Sequence, residues 1–141
     1  MASYRFWINN LIEPIVVELL LDSSFLMFIT TVPIQQLEII EKSLGKIKFV
    51  VLDVIVEEIR NLCVISSPKR AKSARRALDF ASQLTRVSYD KGMNVDDKIL
   101  NYAISKGIAV ATLDSGLRKR LKAVGIIVVF RRGNMLLIEK P

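Results

Sequence analysis

Asp22, Glu58, Asp96 and Asp114 are the residues in this chain best suited to chemistry. Two of them end apolar runs: Ile15–Leu21 leads into Asp22, and Ile108–Leu113 leads into Asp114. If those runs are parallel strands, their carboxyl ends share one edge of a sheet, where open α/β folds place their sites. Glu58 and Asp96 fall on or at the start of segments with helical spacing. Four carboxylates gathered together repel one another unless protons or cations compensate. The chain has no His and one Cys, Cys63. The ion such a cluster would suit is therefore a hard, oxygen-preferring one.

Each acid has an ordinary explanation to set beside the chemical one. Asp22 precedes Ser23–Ser24 and would serve equally as a helix cap. Asp53 also ends an apolar run, but it directly precedes a helical segment, reads as an N-cap and is left out of the site. Glu57 and Glu58 are separated by about 100° on a helix. Glu58 shares the apolar face of Ile55, Ile59 and Leu62, whereas Glu57 sides with Arg60 and Asn61. An acid on the packed side needs a reason, because burying an unpaired charge is costly. Glu58 is the better candidate and Glu57 reads as solvated. Asp96 and Asp97 sit in a first helical turn, where acids favour the helix dipole. Periodicity sets Asp96 toward the core with Ile99 and Ala103, and Asp97 nearer the edge as a supporting residue. Asp114 precedes Ser115 and could simply cap a turn.

Parallel strands and covering helices must position these acids. The chain has 141 residues, enough for one domain with a sizeable core. It is 51% hydrophobic with a mean hydropathy of +0.35, which suits a buried sheet of continuous apolar strands. The window Pro14–Ile34 approaches the length of a membrane span, but Glu18 and Asp22 within it argue against one. No secretory pattern opens the chain, and a single Cys excludes an internal disulfide; a cytoplasmic protein is expected. Residues 1–14 read as an extension with a short helix over Tyr4–Leu11, and residues 15–141 as the domain. Strands are predicted over Ile15–Leu21, Phe49–Leu52, Arg86–Ser88, Ile108–Leu113 and Ile126–Phe130, with a terminal edge strand over Met135–Ile138 after a turn at Arg131–Asn134. Ser23–Thr31 reads as a loop. Helices are predicted over Ile34–Leu44, Val54–Cys63, Ala71–Leu84, Val95–Ser105 capped by Asn94, and Gly116–Ala123 capped by Ser115. Strands alternating with helices imply a mainly parallel sheet covered on both faces.

The net charge is +7 and the pI about 9.8. Lys69, Arg70, Lys72, Arg75 and Arg76 form one acid-free run, and Arg118, Lys119, Arg120 and Lys122 a second. Arg131–Arg132 is a third pair. A single such run is usually a solvated helix face. Three runs with a high pI favour a polyanion such as nucleic acid. Acids for a metal beside bases for phosphate is the combination phosphodiester hydrolysis needs. Other chemistries lack their residues: there is no Gly-rich phosphate loop, Walker pattern or dinucleotide fingerprint. Cys63 lies on an apolar helix face with no His to activate it and reads as core. Tyr89 could stack on a base.

These motifs in order resemble the PIN-domain ribonucleases. LLLDSSFLM (19–27) is similar to the family's first motif, VIVEEIRNL (54–62) to the second, NVDDKIL (94–100) to the third and VATLDSGLRKRLK (110–122) to the fourth. The resemblance runs from residue 15 to 138. It implies a three-layer α/β/α sandwich around a mainly parallel sheet of about five strands. It also implies a site for Mg²⁺ or Mn²⁺ at Asp22, Glu58, Asp96 and Asp114, with Ser24 and Thr112 as supporting polar residues. Ser23–Ser24 departs from the family's frequent Thr–Asn, with a hydroxyl standing in for an amide. The expected activity is metal-dependent endoribonuclease cleavage, with Arg70, Lys72, Arg75, Arg76, Arg118, Lys119 and Arg120 holding the RNA backbone. The alternatives are a non-catalytic module that binds RNA or ribosome precursors, and a toxin held by an antitoxin with the same chemistry. An antitoxin or ribosome-assembly partner and a homodimer are the expected protein partners; a membrane is not.

Overall fold

The structure is a computed structural model and describes residues 16–141. The helix expected over Tyr4–Leu11 lies outside the described residues. Six strands form one sheet: β1 (Val16–Leu21), β2 (Lys46–Leu52), β3 (Thr85–Val87), β4 (Ala109–Ala111), β5 (Val128–Arg132) and β6 (Met135–Glu139). Their order is β3-β2-β1-β4-β5-β6. All pairs are parallel except β5–β6. The resemblance implied about five strands; the sixth is the terminal edge strand, joined to β5 by Gly133–Asn134. Gly133 has φ 60°, the positive angle that a two-residue hairpin turn takes at its first central position.

The helices are α1 (Ser23–Ile29), α2 (Ile34–Leu44), α3 (Asp53–Ile65), α4 (Pro68–Ala81), α5 (Val95–Lys106) and α6 (Ser115–Ala123). They make the chain a three-layer α/β/α sandwich. Consecutive residues Leu19, Leu20 and Leu21 are all buried, although their side chains alternate between sheet faces. Both faces are therefore covered, as a parallel sheet requires.

From the β1–β4 boundary the sheet grows outward in both directions, through β2 and β3 on one side and β5 and β6 on the other. This is the topological switch point at which open α/β sheets leave a crevice. The register fixes it closely: Leu21 pairs with Ala111. The Asp22 amide donates to the Ala111 carbonyl at 3.2 Å, and the Thr112 amide to the Val129 carbonyl at 3.0 Å.

Four local expectations are corrected. Ser23–Thr31 is not a loop, because Ser23–Ile29 is helical. Asp22 caps it by accepting from the Phe25 amide, and Phe25, Leu26 and Ile29 bury one face. Asp53 is not an N-cap but the first residue of α3, and its carboxylate turns to Arg86 and Ser88 instead. These partners, Ser88 first, hold its pKa below the ordinary carboxylate value. Ser115 is not the cap of α6; Asp114 is, accepting from the Leu117 amide at 2.9 Å. The fourth strand is also shorter than Ile108–Leu113, because the chain leaves the ladder after Ala111 to build the site.

Candidate functional site: an acid-lined cleft at the switch point

The carboxyl ends of β1 and β4 open into a cleft of roughly 550 Å³. Asp22, Glu58, Asp96 and Asp114 all line it, and so does Glu57. Ser23, Ser24 and Asn61 add neutral polar groups, and Val54, Ile55, Val95, Ile99 and Leu113 make the apolar wall. Among the described residues no Lys or Arg lines it. In a chain of net charge +7, this cleft concentrates negative charge without a side-chain cation of its own.

Asp22 is the most tightly held acid. It is 6% exposed, and burial is the largest cause raising its pKa above the ordinary 3.8. Hydrogen bonds oppose that rise. Thr112 donates its hydroxyl to Oδ2, while Ser24 Oγ and the Phe25 amide donate to Oδ1, each at 2.8 Å. The Asp114 charge adds a smaller push upward.

Thr112 is wholly buried and links two acids. Its hydroxyl donates to Asp22 and accepts from the Asp114 amide at 3.0 Å. Ser24 likewise ties Asp22 to the β4 side, accepting from the Leu113 amide at 3.3 Å. The cap geometry of α1 and α6 thus sets Asp22 and Asp114 side by side. Asp96, in the first turn of α5, also has a raised pKa. Burial is the main cause and the Asp114 charge the next, with Arg120 opposing. Glu58 comes from α3, and Ser23 Oγ donates to it at 3.0 Å.

Two supporting assignments change. Asp97 does not line the cleft. Its carboxylate faces away to Arg120 at 2.8 Å and accepts from the Met93 amide at 3.3 Å. Those contacts, Arg120 first, hold its pKa down. Gly92 makes this packing fit: it has φ 151°, and a Cβ there would lie 2.8 Å from Asp97 Cβ and from the Lys98 amide nitrogen. Asn61 was not expected in the site, and Glu57, expected to be solvated, is exposed and also borders the cleft. Asn61 lies one turn beyond Glu58, a spacing that could have revealed it. Glu57 reaches the cleft although it pairs with Arg60 and lies 3.8 Å from Arg86.

The expected phosphate-holding bases divide into two groups. Arg118 and Lys122 pair with Glu139 at 3.5 and 2.9 Å, and Arg118 covers the Phe130 ring at 4.3 Å. Arg120 is taken by Asp97. Lys119 is exposed, as are Arg70, Lys72, Arg75 and Arg76 on α4. Tyr89 packs edge-on against Tyr102, with ring centroids 5.2 Å apart. Cys63 is half-buried against the core.

The PIN-like domain family profile matches residues 19–134, spanning every residue that lines the cleft. The chain belongs to the PIN-like domain family. Solved structures share its fold. The PIN domain endonuclease Utp24 is 23% identical, with a TM-score of 0.67 over 88% of this chain and 92% of that one. A domain of a functionally unknown protein from Methanocaldococcus jannaschii DSM 2661 is 15% identical, with a TM-score of 0.59 over 83% and 92% of the two chains. PAE2754 from Pyrobaculum aerophilum is 18% identical, with a TM-score of 0.55 over 81% and 92%. No curated protein sequence matches this PIN-like chain.

The donor set available to an ion in the PIN-like cleft is all oxygen. Among the described residues no three acidic or cysteine side chains form a ready-made metal cluster. That spacing still fits Mg²⁺, which keeps several waters and takes only one or two carboxylates directly. Asp114 raises the pKa of both Asp22 and Asp96, a repulsion that a cation between them would relieve. Among the described residues no helix is long and apolar enough to cross a membrane.

Proposed function

We propose that this PIN-like protein is a metal-dependent endoribonuclease that hydrolyses RNA phosphodiester bonds in the acid-lined cleft. The observation that carries the reading is the convergence of Asp22, Glu58, Asp96 and Asp114, from four separate parts of the chain, on one cleft that no Lys or Arg among the described residues lines. Similarity in fold to an endonuclease supports the same reading.

Asp22, Glu58, Asp96 and Asp114 would hold Mg²⁺ or Mn²⁺. Bound there, such an ion lowers the pKa of a coordinated water and offsets charge on the phosphoryl oxygens. The chain's own contribution is pre-organisation. Thr112, Ser24 and the Phe25 amide occupy both Asp22 oxygens and fix its plane. Leu117 and Thr112 fix Asp114 at the start of α6. Ser23 orients Glu58. The apolar wall of Val54, Val95 and Leu113 flanks the acids and would strengthen charge interactions beside it.

A second reading, an RNA-holding module that does not cut, is favoured by one observation: among the described residues no three acids are pre-assembled for direct coordination. One experiment separates the two. Single-stranded RNA is incubated with the protein and Mn²⁺ or Mg²⁺, with and without EDTA. Cleavage that EDTA stops, and that Asp96→Asn abolishes without lowering the melting temperature, is the expected result. RNA bound but left intact by the wild type would refute the nuclease and leave the module.

A further inference from the structure

The basic runs on α4 and α6 look alike in sequence, yet the structure gives them different jobs. The α6 run is largely consumed internally. Arg118 and Lys122 fasten Glu139 of β6, and Arg120 fastens Asp97 at the start of α5. These pairs tie an edge strand and a neighbouring helix to α6. Glu139 offsets one of the two charges of Arg118 and Lys122, and Asp97 offsets that of Arg120, before any ligand arrives.

α4 is the opposite case. It buries Ala71, Ala74, Ala77 and Ala81, a stripe of small residues that lets the helix sit close against α3 and α1. At ~100° per residue, Lys69, Lys72, Arg75 and Arg76 fall within an arc of about 120° on the other side. All four are exposed, and among the described residues none of them makes an ion pair. Asp79 lies one turn beyond Arg75 and Arg76 and does not pair with either. α4 also runs antiparallel to α3: Leu78, Asp79 and Ala81 of α4 line a groove together with Val56 and Arg60 of α3. α3 is the helix that brings Glu57, Glu58 and Asn61 to the cleft. The free cationic stripe therefore lies on the helix packed against two walls of the acidic cleft, α3 and α1.

We propose that single-stranded RNA docks its phosphate backbone on the Lys69–Lys72–Arg75–Arg76 stripe of α4 and reaches the cleft across α3, and that the α6 cluster is a structural clamp rather than an RNA contact. The inference rests on the nuclease reading for its substrate. The acidic cleft repels a bare polyanion, so affinity has to come from outside it, and a counterion-releasing stripe on the adjoining helix is the arrangement that supplies it. The separation also gives direction: the backbone approaches from the α3–α4 hairpin and not from the α6 side.

The test measures binding of a fluorescent oligouridylate by anisotropy over a range of KCl concentrations, in the Asp96→Asn background so that the RNA stays whole. Each phosphate contact on a single strand contributes about −0.7 to the slope of log K against log salt. Changing Lys69, Lys72, Arg75 and Arg76 together to Gln should reduce that slope by about 2–3 and weaken binding about tenfold or more at low salt. The melting temperature should not move. Changing Arg118, Arg120 and Lys122 together to Gln should do the reverse, lowering the melting temperature with little change in slope. An α4 variant that keeps the wild-type slope overturns the proposal, as does an α6 variant that loses it while staying folded. Wild type that cuts RNA while the α4 variant binds normally sinks the docking face alone. RNA held through α4 but never cut sinks the nuclease alone. A stripe that binds phosphatidylserine vesicles and not the oligonucleotide would assign the face to a membrane surface instead.

Discussion

Thr112→Val removes one hydroxyl at nearly constant shape and should be among the most informative changes in this protein. Thr112 is wholly buried, and its oxygen serves two partners at once: it donates to the Asp22 carboxylate and accepts from the Asp114 amide. A hydrogen bond to a charged group contributes about 1.5–3 kcal/mol, and leaving a polar group unsatisfied costs about 1–3 kcal/mol. Water can reach the half-buried Asp114 amide, so the sum is nearer 2–4 kcal/mol. A chain of 141 residues has an unfolding entropy of about 0.3 kcal/mol per kelvin, so the melting temperature should fall by roughly 7–13 °C. The loss should also depend on pH. Asp22 already titrates above 3.8 in the folded protein, chiefly because it is buried. A folded carboxyl with a raised pKa binds its proton more tightly than the unfolded chain does, so stability falls as pH rises from about 3.8 to the folded value, then levels off. Removing the Thr112 donor raises that folded value further and stretches the window upward. Melting curves from pH 3 to 8 should therefore show a small gap between variant and wild type in acid and the full gap near neutrality. Thr112→Ser keeps the hydroxyl and should show no such widening. A gap that stays constant across the whole range would refute the hydroxyl's role in supporting the Asp22 charge, and unchanged stability would refute its burial as a shared hinge.

Saturating Mn²⁺ or Mg²⁺ should raise the melting temperature of the wild type; at a hundred times the dissociation constant the gain is about 2.7 kcal/mol, or roughly 9 °C, and differential scanning fluorimetry should find it greatly reduced in Asp22→Asn. The Asp97–Arg120 pair is half-exposed, so a double-mutant cycle with Asp97→Asn and Arg120→Gln should return a coupling of only about 0.5–1 kcal/mol by urea denaturation. Gly92→Ala should destabilise by more than about 2 kcal/mol in the same assay, because it adds a clash at Asp97 to an unfavourable backbone angle. Restoring the larger side chain's fit would need a shift of the α5 start, so metal affinity should fall with stability in that variant.

The amino-acid order alone determined the alternation of strands and helices, and with it the parallel sheet, because apolar runs of strand length and apolar faces of helical period are local properties. It also singled out the four acids. Asp22 and Asp114 end apolar runs of strand length, and Glu58 faces the packed side of its helix; that the two strands lie side by side came only from the sheet order. Several assignments needed the tertiary structure, because each depends on a partner distant in sequence. Asp53 looks like a cap until Arg86 and Ser88 claim it from β3 and the loop beyond. Asp97 and Asp96 are nearly equivalent by periodicity, and only Arg120 from another helix separates the one that turns away from the one that enters the cleft. The two basic runs look alike on paper; Glu139 and Asp97 engage Arg118, Lys122 and Arg120 of one and leave the other in solvent. Local pattern sets which face of an element is buried, but charge acts through space, and which charges meet is decided only when the sheet brings their elements together.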